Sequence, residues 1–232
     1  MRHVLSLALV LSLAAFVAPA PAQIAYQPLA PGCAWAYSDG AGHERIVEAV
    51  GPAVIQGEDV VELVWTEPDQ VYHNFWSLGP TGAVYLHAAY NEDGGFVASY
   101  SPPIMWLAAV VATDRCWSST VRIYWSLDDS VDPGLVSSFT YCVTEDGPLT
   151  VPAGDFEAVT VEAFMPLVSA SPGKATHDAL GRRLADGSRQ AEPCSYAAGV
   201  GLVKEGVWEL TSYGGPTPSD AASWGEVKTM YR

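Results

Sequence analysis

Tyr196-Ala197-Ala198-Gly199-Val200-Gly201-Leu202-Val203-Lys204-Glu205 decides how the rest of the chain is read. Two glycines allow a sharp backbone turn, because glycine enters the left-handed region without steric cost. A strand then leaves through Leu202, Trp208 and Leu210. An earlier stretch, Val151-Pro152-Ala153-Gly154-Asp155-Phe156, reads as its partner: a turn feeding a strand from Glu157 to Phe164. Gly199-Val200-Gly201 is no nucleotide fingerprint, since a strand follows it and the third glycine is missing. Gly154, Phe156, Tyr196, Gly199 and Gly201 are therefore read as fold-setting residues.

Working outward, glycine (21) and proline (17) punctuate the chain too often for long helices. The short runs between them are rich in Val, Tyr, Trp and Thr, so the expected class is all-β with antiparallel sheets. A half-barrel or sandwich with little helix is the expected architecture. Strand signals stand at Trp35–Tyr37, Glu44–Val50, Val60–Trp65, Tyr72–Leu78, Ala83–Ala88, Val121–Trp125, Ser138–Thr144, Leu202–Tyr213 and Val227–Tyr231. In Ser138–Thr144 the residues Phe139, Tyr141 and Val143 alternate with polar neighbours, which puts one face inside and one out. Turns are expected at Ser38-Asp39-Gly40, Asp93-Gly94-Gly95, Glu145-Asp146-Gly147-Pro148, Asp186-Gly187 and Gly214-Gly215-Pro216. Pro102 to Val111 reads either as a strand or as a short helix after its prolines. Ser171–Glu192 reads as a long polar loop, with a short helix at Thr176–Leu184.

The beginning of the chain carries a basic start (Arg2, His3), an apolar run from Val4 to Val17, and Ala20-Pro21-Ala22 before Gln23. That order is a secretory leader, and about 14 apolar residues fall short of the roughly 20 a membrane helix needs. Residues 1–22 are read as the leader and 23–232 as a single extracytoplasmic domain with no later membrane span, periplasmic or extracellular. Cys33 lies too far past the apolar run, behind Pro31-Gly32, to suit a lipid anchor. The formal net charge is −15, and it becomes −16 when Arg2 leaves with the leader. Such a surface repels phosphate backbones and anionic headgroups, which excludes nucleic acid as an expected partner. Four cysteines, Cys33, Cys116, Cys142 and Cys194, imply two disulfides in an exported chain. Four cysteines allow three connectivities, and among them Cys142–Cys194 with Cys33–Cys116 is the one expected.

The two halves, 28–112 and 113–232, share an order of signals. Cys33 and Trp35 open the first, and Trp76-Ser77-Leu78-Gly79 leads to Gly82-Ala83-Val84. Cys116 and Trp117 open the second, and Tyr196-Ala197-Ala198-Gly199 leads to Gly201-Leu202-Val203. A duplication would give two similar sheets, although the spacings follow no fixed period.

Val151-Pro152-Ala153-Gly154-Asp155-Phe156-Glu157-Ala158-Val159, Tyr196 to Lys204 and the opening Pro28-Leu29-Ala30-Pro31-Gly32-Cys33-Ala34-Trp35 together resemble a family of exported bacterial proteins of unknown function. In that family a "PAGtFea" segment precedes "yyApGvGlvk". Here Ala198 stands for the usual proline and Asp155 for the usual threonine. The resemblance covers about a fifth of the mature chain, and it implies an extracytoplasmic β-rich domain without catalytic residues to carry over. A looser likeness to periplasmic half-barrels that carry lipids or lipoproteins is one of fold alone.

No motif supplies catalytic residues, a metal site or a cofactor. There is no Gly-x-Ser-x-Gly elbow, and His43-Glu44 lacks the second histidine of a zinc-protease helix. His73 and His87 are placed to meet across a hairpin. Asp128-Asp129-Ser130-Val131-Asp132 lacks the glycine and closing glutamate of a calcium loop. Eight tryptophans could stack on a ligand, but in a β-rich domain they more often fill the core. The expected role is a non-catalytic binding or envelope-associated domain, for a lipid or other apolar ligand. The alternatives are a glycosidase-like hydrolase with carboxylates from distant strands, and a structural module docking another envelope protein.

Overall fold

A computed structural model describes residues 26–92, 96–127, 136–164, 179–180 and 192–215. The leader, the Asp93 and Asp186 turn signals, the Asp128–Asp132 stretch and the Val227–Tyr231 strand lie outside those residues. Twelve strands follow in order: β1 (Ala34–Ser38), β2 (Glu44–Ile55), β3 (Glu58–Glu67), β4 (Gln70–Leu78), β5 (Val84–Asn91), β6 (Phe96–Leu107), β7 (Cys116–Tyr124), β8 (Val136–Val151), β9 (Gly154–Phe164), β10 (Cys194–Ala197), β11 (Gly201–Glu205) and β12 (Trp208–Gly214). Each pairs antiparallel with the next, and β12 pairs with β1, so the sheet closes into one barrel. β1 to β6 fall in residues 28–112 and β7 to β12 in 113–232. No helix among the described residues is long and apolar enough to cross a membrane.

The all-β antiparallel expectation holds, but closure replaces the half-barrel or sandwich. Closing removes the two exposed edges an open sheet would carry. It depends on the pairing of Ala34 with Gly214 and of Ser38 with Glu209, which no local pattern announces. Twelve strands enclose more space than eight, whose interior side chains just fill it. Here the difference is made up by bulk. Ten buried aromatic rings stand in the main core cluster, among them Trp35, Tyr37, Trp76, Trp106, Tyr141 and Tyr196. Trp76 meets Trp106 edge-on with centroids 5.5 Å apart, and Trp117 stacks on Tyr141 at 5.7 Å. A smaller cluster of Ile55, Val60, Phe75 and Ala88 forms separately, on residues that alternate with the inward ones.

Several local expectations change. Glu145-Asp146-Gly147-Pro148 is not a turn but the middle of the 16-residue β8, paired through to β9 across a bulge between Val143 and Glu145. The turn is the two-residue Pro152-Ala153, with Val151 opposite Gly154. Pro102 and Pro103 do not start a helix. They sit inside β6, in the gap where its ladder with β5 breaks between Ser99 and Ile104, and the strand resumes to Leu107. Proline is tolerated there because it owes no ladder hydrogen bond. Leu202–Tyr213 is a hairpin, β11 and β12 joined at Gly206-Val207, rather than one strand.

β11 and β12 pair at only two positions, Lys204 with Glu209 and Glu205 with Trp208. Beyond them, side chains take over the work of the ladder. The Trp35 indole donates to the carbonyl of Val200 at 2.6 Å and the Tyr37 hydroxyl to that of Leu202 at 2.9 Å. The long β8–β9 hairpin also reaches β12, with Ala153 N–H donating to Leu210 O at 2.9 Å and Phe156 against Tyr213. Buried backbone groups are thereby satisfied where the strands splay apart.

Candidate functional site

Alternation along β3 and β4 sends Leu63 and Trp65, and Tyr72, Asn74 and Trp76, to the lumen. Across from them β6 contributes Trp106, and β10 contributes Cys194 and Tyr196. Between these walls lies a cavity of about 20 Å³, also bordered by Leu180, Leu202 and Glu205. That is space for about one water molecule. Its lining is mainly apolar and aromatic.

The polar groups around the cavity are unequally satisfied. Trp106 Nε1 donates to the Tyr196 hydroxyl at 2.8 Å, and burial pushes the Tyr196 phenol well above its ordinary pKa. The indole N–H groups of Trp65 and Trp76 are buried with no acceptor, and Asn74 Oδ1 with no donor. A buried polar group without a partner costs about 1–3 kcal/mol, so three around one lumen call for an explanation.

The Ala179-Leu180 turn of the β9–β10 connection reaches into the barrel, both residues being buried. Tyr100 donates to the carbonyl of Ala179 and Asn74 Nδ2 to that of Leu180, each at 2.7 Å. The segment expected to form a short helix at Thr176–Leu184 is thus described only at this turn.

At the end of the barrel where β3 turns into β4, Arg45 is buried at 2 % exposure. Its Nε lies 2.8 Å from Glu67 Oε1 and its Nη1 2.5 Å from Glu205 Oε2. The guanidinium sits 4.6 Å from the Trp208 ring centroid and 5.7 Å from that of Trp65. Glu67 also accepts from Tyr72 Oη at 3.0 Å and Gln70 Nε2 at 2.9 Å, and Cys194 Sγ lies 3.5 Å from Glu205 Oε1. Arg45 thus bridges carboxylates from two other strands, β3 and β11.

The cysteine pairing differs from expectation. Cys116 and Cys142 are direct register partners across β7 and β8, with Cα atoms 4.1 Å apart, and form a disulfide. Cys33–Cys116 and Cys142–Cys194 are therefore not formed. Cys33 and Cys194 remain buried thiols. Cys33 precedes the Ala34–Gly214 pair, whereas Cys194 lies opposite Glu205 near the other end of β12, so the strands hold the two apart.

Of the residues singled out, Tyr196 and Cys194 reach the cavity, while Gly199 lies in the β10–β11 turn, Gly154 and Phe156 lie at the start of β9, and Gly201 opens β11. Gly199 and Gly201 have φ of +74° and +103°, and a Cβ on Gly201 would come within 2.9 Å of Gln27 Oε1. His73 and His87 do not meet. His73 lies between Glu62 (2.7 Å) and Glu92 (3.0 Å), and His87 bonds Ser77 at 2.8 Å. Sequence reading missed Arg45, Glu67, Glu205, Asn74 and Leu180. The one available signal was Arg45 at the inward parity of Val47 and Ala49, a charge where the pattern wants an apolar residue. No group of His, Cys, Asp or Glu suited to a metal forms among the described residues.

No family model matches the chain. No curated protein matches it either. Among solved structures it is similar to the crystal structure of a "putative lipoprotein" from Parabacteroides distasonis, at 13% identity, over 82% of this chain and 99% of that one, with a TM-score of 0.35. A likeness of that size bears on neither the mechanism nor the ligand of this barrel.

Proposed function

We propose that this chain is an exported, non-catalytic barrel that serves as a binding or envelope-associated module, with an apolar ligand held in the lumen. The observation that carries the ligand reading is the cavity between Trp76, Trp106 and Leu180, walled by apolar and aromatic groups inside a disulfide-bearing barrel. Small-molecule sites share that wall chemistry, apolar with a few polar groups, and at about 20 Å³ the cavity would have to widen to take a ligand. The leader at residues 1–22 and the resemblance of the glycine stretches support export. The hydrolase alternative needs two carboxylates facing a reachable cleft. Among the described residues, Glu205 is buried and Glu67 nearly so, and both are engaged by Arg45. A specific observation favours the docking alternative as a second reading. Residues 51–55 of β2 pair with β3 but run past the start of β1, and Val54, with Val50 at the bulge before them, is exposed. Pro52 within that edge weakens it as a strand template.

Native mass spectrometry of protein purified from its own envelope tests the ligand reading. An adduct that organic extraction removes is the expected result. A bare chain mass, together with no thermal shift from apolar compounds, would overturn it.

A further inference from the structure

We infer that residues 26–31 are a displaceable strap across a gap in the barrel wall, and that the lumen opens to solvent when this strap withdraws. Such a device stands apart from the ligand reading, and it supplies the widening that a ligand would need.

The gap follows from the ladders. β10 and β9 pair from Ala197 with Ala158 onward, so residues 154–157 of β9 have no partner on β10. β11 pairs with β12 only through Lys204 and Glu205, so residues 210–213 of β12 have no ladder partner on β11. Between these two stretches stand the turn at residues 198–200 and the start of β11. Two links cross from one side to the other. Ala153 N–H donates to Leu210 O at 2.9 Å, and Phe156 meets Tyr213 with ring centroids 6.1 Å apart.

The strap lies at the border of this gap. Gln27 packs against the bare Cα of Gly201 and reaches the cavity, and Leu29 is 3 % exposed within the main core. Tyr26 packs on the same core, and burial, then the Asp146 carboxylate of β8, raise its phenol above the ordinary value. Every residue lining the cavity stands on a strand except Leu180 and Gln27. The turn of Leu180 is tied down by the hydrogen bonds from Tyr100 and Asn74. Gln27 makes no hydrogen bond among the described residues, and the first backbone bond from this segment to the barrel is Gly32 N–H to Ala49 O at 2.8 Å. Withdrawing residues 26–31 therefore breaks no ladder and leaves the ring of strands intact. A segment held by packing rather than by backbone hydrogen bonds opens at a lower free energy than the whole fold.

Native-state hydrogen exchange on the purified protein tests the strap, with the indole N–H groups of Trp65 and Trp76 as reporters. Both are buried at the cavity without an acceptor, so solvent access limits their exchange. They should exchange at least about tenfold faster than global unfolding allows, with little dependence on denaturant. Leu29→Ala should speed them at least about tenfold more, since it removes the strap's buried anchor. Gln27→Ala should also speed them, and it carries the test where Leu29→Ala folds poorly. Val121→Ala, a core truncation on β7, should lower global stability and leave indole exchange at low denaturant unchanged. Indole exchange that tracks global unfolding in wild type would overturn the inference. So would Val121→Ala acting as strongly as Leu29→Ala, or Tyr100→Phe doing so, which would assign the opening to the Ala179-Leu180 turn. Exchange as expected, together with a bare chain mass and no thermal shift from apolar compounds, would keep the strap and overturn the ligand reading alone.

Discussion

Replacing Arg45 with methionine keeps most of the apolar stem and removes the charge that holds Glu67 and Glu205 together inside the barrel. Both partners are within 2.8 Å of the guanidinium, and Arg45 is buried. Removing one member of a buried ion cluster costs about 3–5 kcal/mol, because it strands uncompensated charge. Loss of the stack on Trp208 adds to this, but within one network the two effects overlap. With total stabilities of about 5–15 kcal/mol, Arg45→Met should remove about a fifth or more of the folding free energy. In a domain of this size each kcal/mol moves Tm by about 2–4 °C, so a fall of roughly 10 °C is expected. Urea unfolding followed by tryptophan fluorescence reads the loss directly. The triple variant Arg45→Met, Glu67→Gln, Glu205→Gln should recover most of it, since no charge is then buried and the amide oxygens can still accept from Tyr72 and Gln70. An Arg45→Met variant within about 1 kcal/mol of wild type would refute the reasoning, as would a triple variant weaker than the single one.

Gly201→Val forces a β-branched residue to φ +103° and against Gln27, so a loss of about 1–3 kcal/mol or more is expected in the same assay, with lower yield. Loss of ligand binding at unchanged stability would instead give Gly201 a direct part in the site. Alkylation of the denatured, unreduced chain should label two thiols, Cys33 and Cys194, and labelling of none or of four would contradict the pairing. Cys116→Ser with Cys142→Ser should cost about 2–4 kcal/mol, the range for a loop of 26 residues. Burial holds the His87 imidazole below its ordinary value of 6.5. The unfolded chain therefore binds a proton first on acidification, and His87 contributes stability above pH 6.5 that is lost as pH falls through its folded value. His87→Gln should flatten that part of the pH–stability profile, and an unchanged acid limb would show that His87 does not couple to folding.

The strands were legible because alternation is a local signal. Phe139, Tyr141 and Val143 announce their inward face, and the Pro152-Ala153 turn announces its hairpin. What escaped was long-range or conflicting. The β1–β12 seam joins residues some 180 positions apart, and a half-barrel and a closed barrel share the same local pattern. Glu145-Asp146-Gly147-Pro148 has strong turn chemistry, yet its flanks have partners all along β9, and pairing overrode composition. The disulfide follows register, which spacing alone cannot supply. Arg45, Glu67 and Glu205 lie far apart in sequence, and only closure brings β2, β3 and β11 around one end of the lumen. Leu180 was invisible because it lies in a polar loop, and its burial depends on Tyr100 and Asn74 reaching in from other strands.

The seam between β1 and β12 also sets the order in which the molecule can be completed. During synthesis β1 is the first of the described strands to be made, yet its partner in the ladder, β12, is the last of them. Until β12 arrives, β1 can be satisfied on one side only, by β2. Pairings this distant in sequence fold slowly, because loop closure must come before any contact rewards it. The barrel therefore remains open until nearly all of the described strands have been made.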